Sequence, residues 1–226
     1  MLNPLPNRLA LFDCDGTLVD SQANICRSVE EAFAIARIDA PARTAIRRIV
    51  GLSLVEAMQM LLPDGDDALH RRLAQDYKDA FFRLRSTGAM AEEPLYEGIL
   101  EVLDMLAADG WMLGVATGKS DRGLAHILAH HGIAAHFITL QTADRHPSKP
   151  HPSMIETAMA DAGAIPATTV MIGDTSYDML MARAAGTRAL GVAWGYHPVD
   201  ELTAAGAHAI ADAVAALPRL MQEPSA

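Results

Sequence analysis

Apolar and polar positions along this 226-residue chain follow two rhythms. Five short runs are almost wholly apolar: LALF (9–12), WMLGVA (111–116), FITL (137–140), TVMIG (169–173) and ALGVAW (189–194). Apolarity without alternation is the pattern of a strand covered on both faces, as in a parallel sheet. Between these runs the apolar residues recur at helical spacing. Ile99, Val102, Leu103 and Leu106 line one helical face. The stretch from Asp121 stops at Gly132, and the one that begins with Pro152 stops at Gly163. Proline at a helix start and glycine past its end is the expected asymmetry. Strands alternating with helices predict an open α/β sheet with helices on both faces.

One connection breaks the rhythm. The first strand ends at Phe12 and the second begins near Trp111. The segments SQANICRSVEEAFAIARI, AIRRIVGLSLVEAMQMLL and DDALHRRLAQDYKDAFFRLRS between them all read as helices. A crossover between parallel strands needs only about a dozen residues. The pattern therefore predicts a helical unit, residues 20–88, inserted into an α/β core made of 1–19 and 89–226. Its hinges fall near 18–21 and 86–98.

Composition narrows the class. Half of the residues are hydrophobic, which is a globular content. No apolar run approaches the roughly 20 residues that span a bilayer. The first residues lack the basic and apolar regions of a signal peptide. The two cysteines, Cys14 and Cys26, make no disulfide framework. A cytoplasmic protein is expected. The net charge of −10 argues against binding nucleic acid or an anionic membrane. That charge is unevenly placed: residues 20–88 hold ten Lys/Arg against ten Asp/Glu, so the whole excess lies outside them.

Ligands of open α/β sheets bind beyond the carboxyl ends of the strands. Asp13-Cys14-Asp15-Gly16-Thr17 follows the first strand, Thr117-Gly118-Lys119-Ser120 the second, and Asp174-Thr175-Ser176-Tyr177-Asp178 the fourth. Ser148-Lys149-Pro150 precedes the helix before the fourth strand. Carboxylates, a hydroxyl and a lysine thus share one rim. By itself the Asp13/Asp15 pair reads as a metal clamp, a catalytic pair, a reactive-cysteine site or a turn. The cysteine reading fails, because flanking carboxylates raise a thiol pKa.

The set DCDGTLVDS, VATGKS, SKPHP and GDTSYD, in this order, resembles the four motifs of the haloacid dehalogenase superfamily. It is most similar to the branch with a helical (C1-type) cap after the first motif, which includes phosphoglycolate phosphatases and β-phosphoglucomutases. The resemblance implies a Rossmann-like core and a Mg²⁺-dependent phosphomonoester hydrolase acting on a small phosphorylated metabolite. It implies Asp13 as the nucleophile that forms an aspartyl-phosphate and Asp15 as general acid and base. Thr117 and Gly118 would bind the phosphoryl group. Lys149 would contact both Asp13 and the phosphoryl oxygens. Asp13, the Asp15 carbonyl and Asp174 would hold Mg²⁺, with Asp178 orienting Lys149 or a metal-bound water.

Arg47, Arg48 and Gly51 lie where capped relatives read the leaving group, and an arginine there would grip a carboxylate or a second phosphate. The competing reading is a basic, solvated helix face. His126, His130 and His131 lack the partners of a zinc site, whereas His146, His151 and His197 fall nearer the rim. Three alternatives share the core: a phosphomutase, a pyrophosphatase and a metal-independent haloacid dehalogenase. Asp15 argues against the last. A non-catalytic binding protein is the alternative from another class.

Overall fold

The computed structural model describes residues 6–222, so the outermost positions of the two core ranges lie outside it. Six parallel strands form one sheet: β1 (Asn7–Phe12), β2 (Trp111–Thr117), β3 (Phe137–Thr142), β4 (Ala164–Gly173), β5 (Arg188–Val192) and β6 (Ala209–Ala211). Their order is β3-β2-β1-β4-β5-β6, the doubly wound order that reverses at β1.

β1 is central and shows why its sequence is apolar throughout. Successive side chains of a strand point to opposite faces. Leu9 and Leu11 enter one core, with Met154, Met171 and Met179. Ala10 and Phe12 enter the other, with Leu103, Leu124 and Ile172. Burying each such Leu or Phe contributes about 1.5–3 kcal/mol. Helices α5 (Ile99–Ala108), α6 (Asp121–His130) and α10 (Leu217–Gln222) cover one face. Helices α7 (Ser153–Ala162), α8 (Ser176–Ala184) and α9 (Val199–Ala204) cover the other.

Between β1 and α5 lie four helices, α1 (Gln22–Ala36), α2 (Arg43–Arg47), α3 (Leu54–Leu61) and α4 (Asp67–Ser86). They enclose a core of their own, with Val29, Phe33, Ile46, Met58 and Leu73. Asp66 caps α4 by accepting from the Leu69 amide at 2.8 Å. The two linkers to this unit run side by side. Tyr96 N donates to Leu18 O at 3.1 Å, and Asp20 N donates to Pro94 O at 2.9 Å.

Three details differ from the periodicity. The helix expected across 45–62 is broken into α2 and α3, because Gly51 turns the chain at φ +97°. That left-handed conformation costs other residues about 1 kcal/mol or more. β5 stops at Val192, two residues short of the apolar run, and Trp194 packs against the sheet core and donates to Thr17 O at 3.2 Å. β6 is only three residues long, too short to show a pattern.

Candidate active site

The reversal of strand order opens a crevice at the carboxyl ends of β1 and β4, and both deliver aspartates into it. The amide of Asp13 donates to Ile172 O of β4 at 2.9 Å, so the strand geometry extends through Asp13. Asp13 is fully buried. Its Oδ1 stands 2.9 Å from Lys149 Nζ, yet neither of its oxygens receives a well-aligned hydrogen bond. Burial, resisted by Lys149 and reinforced by Asp178 and Asp15, pushes its carboxyl up to about 7.

Lys149 has a fully buried side chain that bridges Asp13 and Asp178, the latter at 2.7 Å. Burial favours its neutral amine, but the two carboxylates outweigh that and raise its pKa. Asp178 is saturated. Its Oδ1 takes Lys149, and its Oδ2 accepts from the Thr175 amide at 3.0 Å and hydroxyl at 2.8 Å, a capping box at the start of α8.

Asp174 accepts from the Thr17 hydroxyl at 2.8 Å and the Tyr196 amide at 2.9 Å. Gly16 is obligatory beside it, with φ +87° and room for no Cβ against the Asp174 carboxylate. Burial, then Asp13 and Asp178, raises the Asp174 carboxyl well above its ordinary range. Carboxylate oxygens of Asp13, Asp174 and Asp178 lie within 4.8 Å of one another. The Lys149 ammonium pairs with two of these three buried carboxylates, Asp13 and Asp178, and Asp13 Oδ2 has no hydrogen-bond partner. An oxygen-lined site with this negative excess fits a hard divalent cation.

Asp15 lies apart from that cluster. Its Oδ1 pairs with Lys119 Nζ at 2.8 Å and accepts from the Ser21 hydroxyl. Thr117 is buried at the end of β2, and its Oγ1 accepts from the Lys119 amide at 3.2 Å. Gly118 sits under the α2–α3 turn. A Cβ there would lie 2.8 Å from the carbonyls of both Gly51 and Leu52. A cavity of about 270 Å³ opens beside Asp15, Gly118 and Lys119, roofed by the helical unit.

Gly51 lines that cavity, but Arg47 and Arg48 do not. Arg48 pairs with Glu201 at 2.6 Å on the surface, and Arg47 reaches Gln22 at 3.5 Å. The turn at Gly51 aims backbone, not guanidinium, at the site. Arg48 contributes its carbonyl, which accepts from His197 Nε2 at 3.1 Å and the Tyr177 hydroxyl at 3.1 Å.

Cys14 is buried in the sheet core, where burial and Asp15 raise its thiol. His146 is fixed between Ser153 and Gln141, each at 2.8 Å, and His151 is exposed. His126 and His130 stack on α6, and among the described residues no histidine joins a metal-ligating cluster.

A family model described as haloacid dehalogenase-like hydrolase matches residues 10–192. The chain belongs to that family. Probable phosphatase IndB of Dickeya dadantii is 38% identical over 208 residues, covering 90% of this chain and 89% of that one. A phosphoglycolate phosphatase of Vibrio vulnificus is 28% identical, covering 93% of this chain and 94% of that one. The crystal structure of a hydrolase from Pseudomonas syringae superposes with a TM-score of 0.83 at 25% identity, covering 97% of this chain and all of that one. The protein is thus a family hydrolase of the phosphatase kind.

Sequence reasoning left Lys119 and Ser21 without a role. The signal for Lys119 was present, a cation two residues beyond a strand-end threonine. Its partner Asp15 is 104 positions away and only the sheet pairs them.

Proposed function

We propose that the chain is a Mg²⁺-dependent phosphomonoester hydrolase for a small phosphorylated metabolite, working through an aspartyl-phosphate on Asp13. The observation that carries this reading is the buried, hydrogen-bond-poor Asp13 carboxylate facing Lys149, with Asp15 held separately by Lys119.

In this reading the Thr117 hydroxyl, the Gly118 amide and Lys149 hold the phosphoryl oxygens. An Asp13 oxygen attacks phosphorus as the ester P–O bond breaks, and Asp15 gives its proton to the departing alkoxide. Asp15, now a carboxylate, takes a proton from water as that water attacks phosphorus and releases Asp13. Lys149 offsets the repulsion between two anions and is itself aimed by Asp178. Asp13, Asp174 and the Asp15 carbonyl would hold the Mg²⁺, which when bound supplies positive charge against the phosphoryl oxygens.

Residues 20–88 act as the cap over a core of 1–19 and 89–226. The paired linkers at Leu18–Asp20 and Pro94–Tyr96 support a hinge there. The cap excludes water and admits only small substrates, which supports a metabolite rather than a protein as substrate.

Acid quenching during turnover of a ³²P-labelled ester tests the intermediate. One base-labile phosphoryl group per chain is expected, and none in Asp13→Asn. Label retained in that variant, or turnover above about a thousandth of the parent's, sinks the nucleophile assignment.

A further inference from the structure

The cavity beside Asp15 has a chemistry of its own. Its volume is about 270 Å³. An apolar protein cavity of about 150 Å³ already accepts benzene. A two-carbon acid would leave most of this space unfilled. Its walls are mainly apolar, with Val29 from α1, Val50 and Leu52 from the turn, Met58 from α3, and Tyr77 and Phe81 from α4, and Lys78, Arg85 and Arg122 stand among them. Two cations lie over the Phe81 ring. The Arg85 guanidinium lies 5.2 Å from the centre of the Phe81 ring, and Lys119 Nζ lies 5.9 Å from it.

Neutral hydrogen-bonding side chains are scarce. Ser120 and Tyr77 are the two among the lining residues, and the Ser120 hydroxyl already accepts from the Gly123 amide at 3.1 Å as the cap of α6. A hydroxyl-rich sugar would be stripped of water here with few partners in return, at a cost of about 1–3 kcal/mol for each unpaired group. Of the four cations in the lining, Lys119 is engaged with Asp15 at 2.8 Å, Arg85 and Arg122 lie over the Phe81 and Phe82 rings, and Lys78 is exposed. A planar apolar group meets none of these penalties and gains ring contacts from Tyr77 and Phe81.

We infer that the leaving group of the natural substrate carries a planar aromatic body, seated against Phe81 and Tyr77 with its ester oxygen at Asp15. This inference rests on the phosphomonoesterase reading above.

Esters of primary alcohols test it, because their leaving oxygens are similarly basic. The full chain with Mg²⁺ is assayed on ethyl phosphate, phosphoglycolate, glucose 6-phosphate, benzyl phosphate and 2-naphthylmethyl phosphate. At least a tenfold higher kcat/KM is expected for the two aromatic esters than for the other three. Phe81→Ala should reduce the benzyl-to-ethyl ratio about tenfold, whereas a folding defect would lower both rates together. Calorimetric binding of benzylphosphonate and ethylphosphonate reads the same preference without turnover. Hydrolysis with phosphoglycolate or glucose 6-phosphate preferred, or an unchanged ratio in Phe81→Ala, overturns the inference. Preferential benzylphosphonate binding with no ester hydrolysed upholds the pocket and overturns the hydrolase reading instead. Equal binding of the two phosphonates overturns the pocket.

Discussion

Lys119 Nζ lies 2.8 Å from Asp15 Oδ1, in an ion pair only about a tenth exposed. Burial alone would lower the lysine pKa, but Asp15, the Cys14 thiol and Glu93 reverse this and raise it. Lys119 therefore stays charged and fixes the Asp15 carboxyl where the ester oxygen departs. Removing it acts through Asp15, so the loss depends on how much the leaving group needs a proton. Lys119→Ala is expected to lower kcat at least tenfold on an alkyl phosphate and much less on p-nitrophenyl phosphate. Equal losses on both esters would remove the positioning role.

The carboxylate excess around Asp13 predicts a metal requirement. Chelation should abolish hydrolysis of p-nitrophenyl phosphate, and Mg²⁺ should restore it. Because the ion binds only the assembled cluster, it should also raise Tm, by an amount that grows with the logarithm of its concentration once that exceeds Kd. Activity that survives exhaustive chelation would refute the role given to Asp174.

Gly118 and Arg48 make opposite predictions. A Cβ on Gly118 meets the Gly51 and Leu52 carbonyls at 2.8 Å, so Gly118→Ala should push the α2–α3 turn away and lower kcat/KM at least tenfold. Arg48→Ala removes only a solvent-exposed ion pair with Glu201, of a kind that contributes about 1 kcal/mol or less. Its kcat/KM should change less than twofold. Steady-state kinetics on one ester compares the two directly.

His146 sets a pH dependence of stability. Burial lowers its pKa below the ordinary 6.5, Arg145 and His151 add to that, and Asp121 opposes. The folded protein holds the neutral ring, so this contribution is complete above pH 6.5 and is lost as pH falls through the lower folded value. His146→Gln keeps hydrogen-bonding capacity without the titration. The Tm advantage of the parent over this variant should shrink between pH 7.5 and 5.5, as scanning calorimetry at the two pH values would show. A constant difference would refute the assignment.

The two thiols should be inert in the folded state. Cys14 and Cys26 are buried, and burial raises both pKa values. A chromogenic disulfide reagent at pH 8 should find no fast thiol in the native protein and both after denaturation. Rapid native labelling of Cys14 would contradict its place in the sheet core.

Much of this molecule is written in local pattern. The apolar runs around Leu9–Phe12 and Thr169–Gly173 specify strands buried on both faces, because one-residue neighbours must satisfy two cores at once. Asp13 and Asp174 follow directly from those runs, so their meeting at the rim comes with the parallel sheet. The inserted helices are equally visible in their period. What only the tertiary structure decided are pairings across long sequence separations. The packing of the helical unit against the rim turned Gly51 toward Gly118 and Arg48 toward Glu201, although adjacent arginines look equivalent in sequence. The pairing of β1 with β2 joined Lys119 to Asp15, and the packing of α4 set Phe81 and Tyr77 over one cavity. Periodicity tells which face of a helix is buried, but the partner of that face depends on how the folded layers dock, and no local pattern encodes that.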